Sequence, residues 1–276
     1  MSGIQEQNQS NATTRSNKKN EKKKTFDNYL LLGVPRSGKT TYFCTIAEHL
    51  QKLATSSGRF GFKFCDNNTS RFIDNQMKFL RNNGWPEKTP KKDVDYKFQL
   101  VHDLRIFGVK LYTEYIDILY HDYPGEAFND VFSDTQSGMY EDDVKDLRKK
   151  IATAKGIFLM LDVKEIFNEE NVESSQETLV ALIKYLQKEA KGKIKLALIF
   201  NKIELIPDYS HREYLRKFKL LYRNAYQWLR EVDHQFFSVY TVGGECRVNE
   251  NGYVIPPEKL NPRSVLKPVN WMIHFI

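Results

Sequence analysis

The chain has 276 residues, enough for one large domain or two small ones with a sizeable core. Its 41% hydrophobic and 28% charged residues fit a soluble globular protein, and no run approaches the roughly eighteen apolar residues of a membrane span. The formal charge of +7 is concentrated in residues 1–25, where six basic residues face two acidic ones, and the mildly basic remainder argues against DNA reading by a folded domain.

Those first 25 residues are rich in Asn, Ser, Gln, Thr and Lys and nearly lack apolar side chains. They bury too little surface to offset ordering entropy, so a disordered basic tail is expected over 1–25. Its Arg15, Lys18, Lys19, Lys22, Lys23 and Lys24 read as a solubilising cluster, with weak contact to an anionic surface as the alternative. The tail has no apolar run of the signal-peptide kind, and Gly3 lies one position too late for N-myristoylation. Cys44, Cys65 and Cys246 are scattered without a C-x-x-C, so neither a disulfide framework nor a zinc site is expected, and the setting reads as reduced and cytoplasmic.

After the tail, an apolar strand is predicted over 29–32 and a helix over 40–53, with Phe43, Ile46, Ala47, Leu50 and Leu53 at helical spacing. A short strand follows at 60–64. A helix over 69–82 carries a stripe of Phe72, Ile73, Met77, Phe79 and Leu80, with Thr69 or Ser70 as its N-cap. Strands over 94–103 and 113–122, joined around 105–110, suggest an antiparallel pair at one edge of the sheet. Residues 123–140 read as a loop. Helices over 141–154, 172–190 and 211–232 then alternate with strands over 156–163, 194–200 and 236–240. Residues 256–276 are Pro-punctuated and read as ending in a helix packed on the sheet. This alternation predicts a doubly wound, mostly parallel α/β sheet with one antiparallel edge strand and a helical insert at about 66–88.

Three motifs fall at strand ends. Gly33-Val34-Pro35-Arg36-Ser37-Gly38-Lys39-Thr40 fits the phosphate loop G-x-x-x-x-G-K-[ST], between the first strand and the first helix. Its N–H groups, from Arg36 through Thr40 because Pro35 has none, would cradle phosphates at a helix N-terminus. Lys39 would reach the β- and γ-phosphates, and the Thr40 hydroxyl would hold Mg²⁺. Thr41 completes the S-G-K-T-T helix start. Next, Asp122-Tyr123-Pro124-Gly125 ends a strand as D-x-x-G, with Asp122 a metal candidate through a bound water and the Gly125 N–H a γ-phosphate contact. Loss of that phosphate would release the following loop, which marks residues 123–140 as a switch candidate. Asp117, mid-strand, is the weaker competitor. Finally, Asn201-Lys202-Ile203-Glu204 follows an apolar strand as N-K-x-E. Guanine differs from adenine by an N1–H and an exocyclic amine that donate together to one carboxylate. Glu204 suits that role, while Asn201 and the Lys202 stem pack the base and brace the phosphate loop.

With these motifs in order over residues 28 to about 243, the chain resembles the Ras-like, translation-factor-related class of P-loop GTPases. The resemblance implies GTP or GDP and Mg²⁺ as ligands and a domain over 26–276. It also implies a guanine-contacting loop at Thr241-Val242-Gly243 and a first-switch, metal-gripping threonine at Thr89. The usual aspartate of the third motif is Glu204 here, and the usual alanine of the last loop is Val242. The chain is further similar to the bacterial double-GTPase-type proteins of conflict systems, in S-G-K-T-T, W-P-x-x-T, D-x-P-G-E and the C-terminal L-K-P-x-x-W. The chain itself has one phosphate loop.

The activity so implied is slow GTP hydrolysis by a molecular switch. Lys39, Gly125 and Glu126 are the candidate catalytic residues, Glu126 standing where many Ras-like enzymes carry a glutamine that orients water. Arg36 is the nearest candidate arginine finger, and a protein effector or regulator is the implied partner. Three rivals stand beside this reading: an ATPase with a degenerate base-reading loop, a nucleotide-gated scaffold that hardly hydrolyses, and a nucleotide kinase.

Overall fold

Strands β1 (Lys24–Gly33), β2 (Gly61–Phe64), β3 (Tyr96–Ile106), β4 (Val109–Tyr120), β5 (Gly156–Asp162), β6 (Lys195–Asn201) and β7 (Asp233–Ser238) form one sheet in the order β2-β3-β4-β1-β5-β6-β7. This computed structural model describes residues 24–34, 36–86, 94–107, 109–121, 123, 131, 141–190, 194–206, 208–250, 254–274 and 276. The five strands from β4 to β7 are parallel, and β3 runs against both β4 and β2. The expected antiparallel pair is therefore β3–β4. It lies one position in from the edge, because β2 adds itself outside β3.

Two apolar layers cover the sheet, and the strand period of two decides which side chain enters which. From β1, Tyr29 and Leu31 join one layer with Phe43, Ile46 and Leu50 of α1 (Lys39–Ser57). The same layer holds Phe72 and Met77 of α2 (Asn67–Arg81). Leu30 and Leu32 join the other layer, with Leu147 of α3 (Glu141–Thr153) and Val163 and Ile166 of the short α4 (Val163–Ile166). Leu182 and Leu186 of α5 (Val172–Ala190), Phe218 of α6 (His211–Leu221) and Leu229 of α7 (Arg223–Leu229) complete that side. β5 is buried at every position and β6 at all but its first, the continuous burial that parallel strands with helices on both faces require.

The C-terminal segment packs as expected. α8 (Lys267–Met272) carries Pro268 in its first turn, where no N–H partner is needed, and buries Val269 and Met272 in the layer that holds Tyr29. Tyr42 and Tyr29 hold the segment by donating their hydroxyls to the carbonyls of Val265 (3.0 Å) and Met272 (3.2 Å). Among the described residues no helix is long and apolar enough to cross a membrane.

Several boundaries differ from expectation for local reasons. β1 starts at Lys24 because its polar first half pairs with β4 from Lys24↔Thr113 onward. The second helix is capped by Asp66, whose carboxylate accepts from the Thr69 N–H (2.7 Å) and hydroxyl (3.0 Å), so Thr69 sits inside the helix. The connection expected at 105–110 contracts to two residues between Ile106 and Val109. A two-stranded sheet of β8 (Arg247–Val248) and β9 (Val254–Ile255) was not foreseen. The expected helix over 211–232 breaks at Tyr222, whose buried ring stacks on Phe218 and whose hydroxyl reaches the Ile166 carbonyl at 2.9 Å.

That anchor gives a stability prediction. Tyr222→Ala should lower unfolding free energy by about 3–5 kcal/mol through the vacated ring volume. Tyr222→Phe, which removes only the hydroxyl and its bonds to the Ile166 carbonyl and Ser175, should cost about 1–2 kcal/mol. Urea unfolding followed by circular dichroism measures both, and similar losses for the two variants would refute the packing account.

Candidate functional site

Gly33 ends β1 against its neighbour β5. A side chain there would place its Cβ 2.8 Å from the Met160 carbonyl oxygen and 2.8 Å from Ser37 Oγ, so the chain turns where only glycine fits. The loop then reverses through left-handed Arg36 (φ 62°) and Gly38 (φ 87°), the latter being the N-cap of α1. Lys39 is buried at the first helical position, and its ammonium donates to the carbonyls of Gly33 and Val34, 3.0 Å each, across the mouth of the loop. Arg36 is exposed, Thr40 half-buried and Thr41 buried in the first turn. The Thr40 hydroxyl lies 2.8 Å from that of Tyr120, the last residue of β4 and two before Asp122.

Because β1, β6 and β7 are parallel, their C-terminal ends share one rim, and Asn201 joins them there. Its Nδ2 donates to the Ser37 carbonyl at 2.9 Å, and its Oδ1 accepts from the Thr241 hydroxyl. Asn201, Ser37 and Thr241 are all buried. A Cβ on Gly38 would come within 2.3 Å of the Asn201 amide nitrogen, so the second loop glycine is required by Asn201 as well as by its φ. Beyond Thr241, Val242 is buried, and the carbonyls of Val242 and left-handed Gly243 accept the Asn261 N–H at 2.9 and 3.0 Å.

Lys202 is left-handed (φ 60°), and its ammonium pairs with the buried Asp162 carboxylate at 2.5 Å. Asp162 ends β5 beside Asn201 in the ladder and also caps α4 through the Lys164 N–H. Sequence reading passed over it. Its only signal was an acidic residue closing the run GIFLMLD ahead of the N-K-x-E strand. Two residues past Lys202, Glu204 occupies a 3₁₀ turn over Ile203–Leu205. Its Oε2 is buried with no hydrogen-bond partner among the described residues. Burial pushes this carboxyl above its usual pKa, opposed by a hydrogen bond from its own backbone N–H and by Lys202, while Asp162 adds to the shift. Cys246 is close enough that, after burial, the Glu204 charge helps lift its thiol to about 11. The buried Ser37 Oγ likewise has no partner among the described residues.

The predicted residues Gly33, Arg36, Ser37, Gly38, Lys39, Thr40 and Thr41 thus meet Asn201, Lys202, Glu204, Thr241 and Val242 along one rim. Thr89, Asp122, Gly125 and Glu126 lie outside the described residues. The flanks of Asp122 are described. His121 Nδ1 lies 2.7 Å from Asp95, Asp95 also pairs with Lys150, and Lys150 pairs with Asp146 at 2.6 Å. The Tyr123 hydroxyl donates to Asp146 at 2.7 Å, and its ring lies 4.0 Å from that of His121. Partial burial opposes ionisation of Asp95, yet the hydrogen bonds from His121 and Lys150 hold its carboxyl below the usual range. Asp117, the competitor for the metal, is instead held mid-strand by Gln99 and by Lys97 (3.1 Å).

The family model for Double-GTPase 2 matches residues 31–249. The chain belongs to that family. The match takes in the phosphate loop, both later motifs and the Thr241 loop of this Double-GTPase 2 chain. No curated protein sequence matches it. Among solved structures it is similar to the S. cerevisiae Ski7 GTPase-like domain bound to GTP, at 16% identity over 91% of this chain and 50% of that one, TM-score 0.44. The SRb-GTP/SRX complex of the signal recognition particle receptor from Chaetomium thermophilum is similar at 13% identity over 80% and 93%, TM-score 0.42. The small COPII coat GTPase SAR1 from Encephalitozoon cuniculi with GDP gives 13% over 79% and 70%, TM-score 0.36. The chain spans half the length of the Ski7 chain.

The Gly38–Asn201 packing can be tested as a pair. Asn201→Ala should cost about 1–3 kcal/mol by freeing the buried Ser37 carbonyl. Gly38→Ala should cost more than the roughly 1–2 kcal/mol of its left-handed backbone. In the double variant the costs should fall short of their sum by about 1 kcal/mol or more, because the clashing amide is gone. Additive losses in urea unfolding would show that the amide does not set this contact.

Proposed function

We propose that this chain binds GTP and hydrolyses it slowly as a magnesium-dependent switch, through a domain over 26–276. The observation that carries the reading is the partnerless, buried Glu204 oxygen, set three residues from the asparagine that grips the phosphate loop. A shielded carboxylate oxygen without a donor is costly for the protein alone. It is well matched to a base that offers two N–H donors on one edge.

The residues present fit the nucleotide and its metal. Gly33 and Gly38 leave the loop with room only for backbone, and α1 opens on it with the N–H groups of its first turn. Lys39 exchanges the carbonyls of Gly33 and Val34 for phosphate oxygens, so its charge is already positioned over the loop. Thr40, Asp122 and Thr89 are the residues that would hold Mg²⁺, which when bound neutralises charge on the phosphate oxygens. Gly125 offers its N–H to the γ-phosphate. Glu126 accepts a hydrogen bond from the attacking water, but its charge is repelled by the γ-phosphate, which makes intrinsic turnover slow. Val242 and Thr241 border the base with Asn201 and Lys202, and Arg36 stands exposed beside the phosphates. In this reading the protein works in the cytoplasm with a protein effector or regulator.

The test measures affinity and stability together. With Mg²⁺, calorimetry should show GTP binding roughly 100-fold tighter than ATP, and Glu204→Ala should remove most of that preference. Equal losses for both nucleotides would remove the guanine assignment. Glu204→Gln should separate the two properties. A carboxyl whose folded pKa lies above its unfolded value binds its proton more tightly when folded, so stability falls as pH rises from about 4.5 through the folded value. At neutral pH the nucleotide-free Glu204→Gln protein should therefore melt higher than wild type while binding GTP more weakly. A lower melting temperature would contradict the uncompensated-carboxylate account. Phosphate release from wild type should exceed that of Lys39→Ala, whereas equal rates would identify a nucleotide-gated scaffold.

A further inference from the structure

The folded part of the chain is only mildly basic, but its charge is unevenly spread. Residues 211–230, which form α6, the break at Tyr222, α7 and its C-cap, hold six basic residues and one acidic one. Five of the six are Arg212, Arg216, Lys219, Arg223 and Arg230, spaced as one face of a helix. All five are exposed. The break does not interrupt this face. The N–H groups of Tyr222 and Tyr226 still bond four residues back, to the carbonyls of Phe218 and Tyr222 at 2.8 Å each. Across the break, the Lys219 ammonium lies 4.7 Å from the centre of the Tyr226 ring. The result is a row one cation wide and about 27 Å long at the usual helical rise.

The stability of the fold gives no reason for such a row. Arg212 with Arg216, and Arg216 with Lys219, are like-charge neighbours that repel on a helix surface. Arg212 lies in the first turn of α6 and Arg223 opens α7, where the positive end of the helix dipole disfavours cations. None of the five makes an ion pair among the described residues. Glu213, the acidic residue of the stretch, accepts the Ser210 N–H at 2.6 Å in the capping box. Its bonds to Ser210, assisted by the Arg216 charge, hold its carboxyl below the usual range. Glu231 and Asp233 stand past the end of the row.

We propose that this face of α6 and α7 binds the sugar–phosphate backbone of a single-stranded nucleic acid, without reading its bases. Four of the five cations are arginines, whose planar forks grip phosphate oxygens two at a time. A polyanion laid along the row relieves the repulsion between its neighbours. A single row suits one strand, whereas a duplex presents two strands across a groove. The exposed large apolar side chains of α6 and α7 are Leu220 and Trp228, too few for the apolar face of a membrane-surface helix, and Lys184 stands 4.8 Å over the Trp228 ring.

Fluorescence anisotropy of the full-length protein with labelled oligo(U), oligo(dT) and a duplex of equal length, over a range of salt, tests this. Wild type should bind the single strands more tightly than the duplex and lose affinity as salt rises. Replacing Arg212, Arg216 and Arg223 together with glutamine should weaken single-strand binding roughly tenfold or more. It should also lower the slope of log affinity against log salt by about 2, since each phosphate contact contributes about 0.7. The same variant should keep or raise the melting temperature, because the repulsion leaves with the charges. The triple lysine variant, which keeps the charges and loses the forks, should retain the salt slope while binding more weakly. Failure to bind single strands, or binding whose affinity and slope the glutamine variant leaves unchanged, would overturn the assignment. A glutamine variant that melts lower would show that the row serves folding, and would overturn it too. Tighter binding to the duplex, to phosphatidylserine vesicles or to polyglutamate, lost in the glutamine variant, would overturn it in favour of that occupant.

Discussion

The candidate site depends on one buried amide. Asn201 spends both ends of its side chain on backbone and hydroxyl groups belonging to other strands' loops: Ser37 after β1 and Thr241 after β7. In a parallel sheet these loops emerge on the same rim but have two strands, β5 and β6, between them, so the sheet alone does not fix them in register. A single asparagine does so because its donor and acceptor are geometrically opposed and both are shielded from water. The consequence runs back into the sequence. With the amide in place, position 38 has no room for a Cβ, and the loop glycine serves packing as much as phosphate approach.

Hydrogen-bond satisfaction is uneven across the molecule, and the unevenness has a location. The buried side-chain atoms without partners among the described residues are Ser37 Oγ, Gln76 Oε1 and Glu204 Oε2. Two of the three belong to the rim that Asn201 organises. Folded proteins satisfy nearly all such groups, because each orphan costs on the order of 1–3 kcal/mol. Their concentration beside the phosphate loop fits a site that gives up stability in order to present polar atoms to something else.

The sheet and most helices were legible because their signals are local. The runs GIFLMLD and LALIF are too apolar to be anything but strands covered on both faces, and the phosphate loop declares the strand and helix around it. What escaped is non-local. Tyr222 interrupts a helix because Ile166, more than fifty residues earlier, offers a carbonyl where a straight helix could not reach. Asp66 displaced Thr69 as cap because Thr69 Oγ1 is engaged by the Lys97 N–H of β3. Asp162 shows no motif of its own and acquires its role only when β5 and β6 lie side by side and set it beside Asn201, within reach of the Lys202 ammonium.

One strand connects the features that the motifs leave apart. β4 begins at its hairpin turn with β3 and ends at Tyr120, whose hydroxyl meets Thr40 in the phosphate-loop helix. Tyr120 is fully buried, and its ring lies against Phe43 (5.3 Å), Phe72 (6.2 Å) and Tyr96 (6.1 Å), so it cannot tilt without disturbing α1, α2 and β3 together. Immediately beyond it, His121 is fastened to Asp95, and Tyr123 to Asp146. The chain entering the 123–140 segment is therefore anchored through one residue before Asp122 and one after it, both leading to Lys150 on α3.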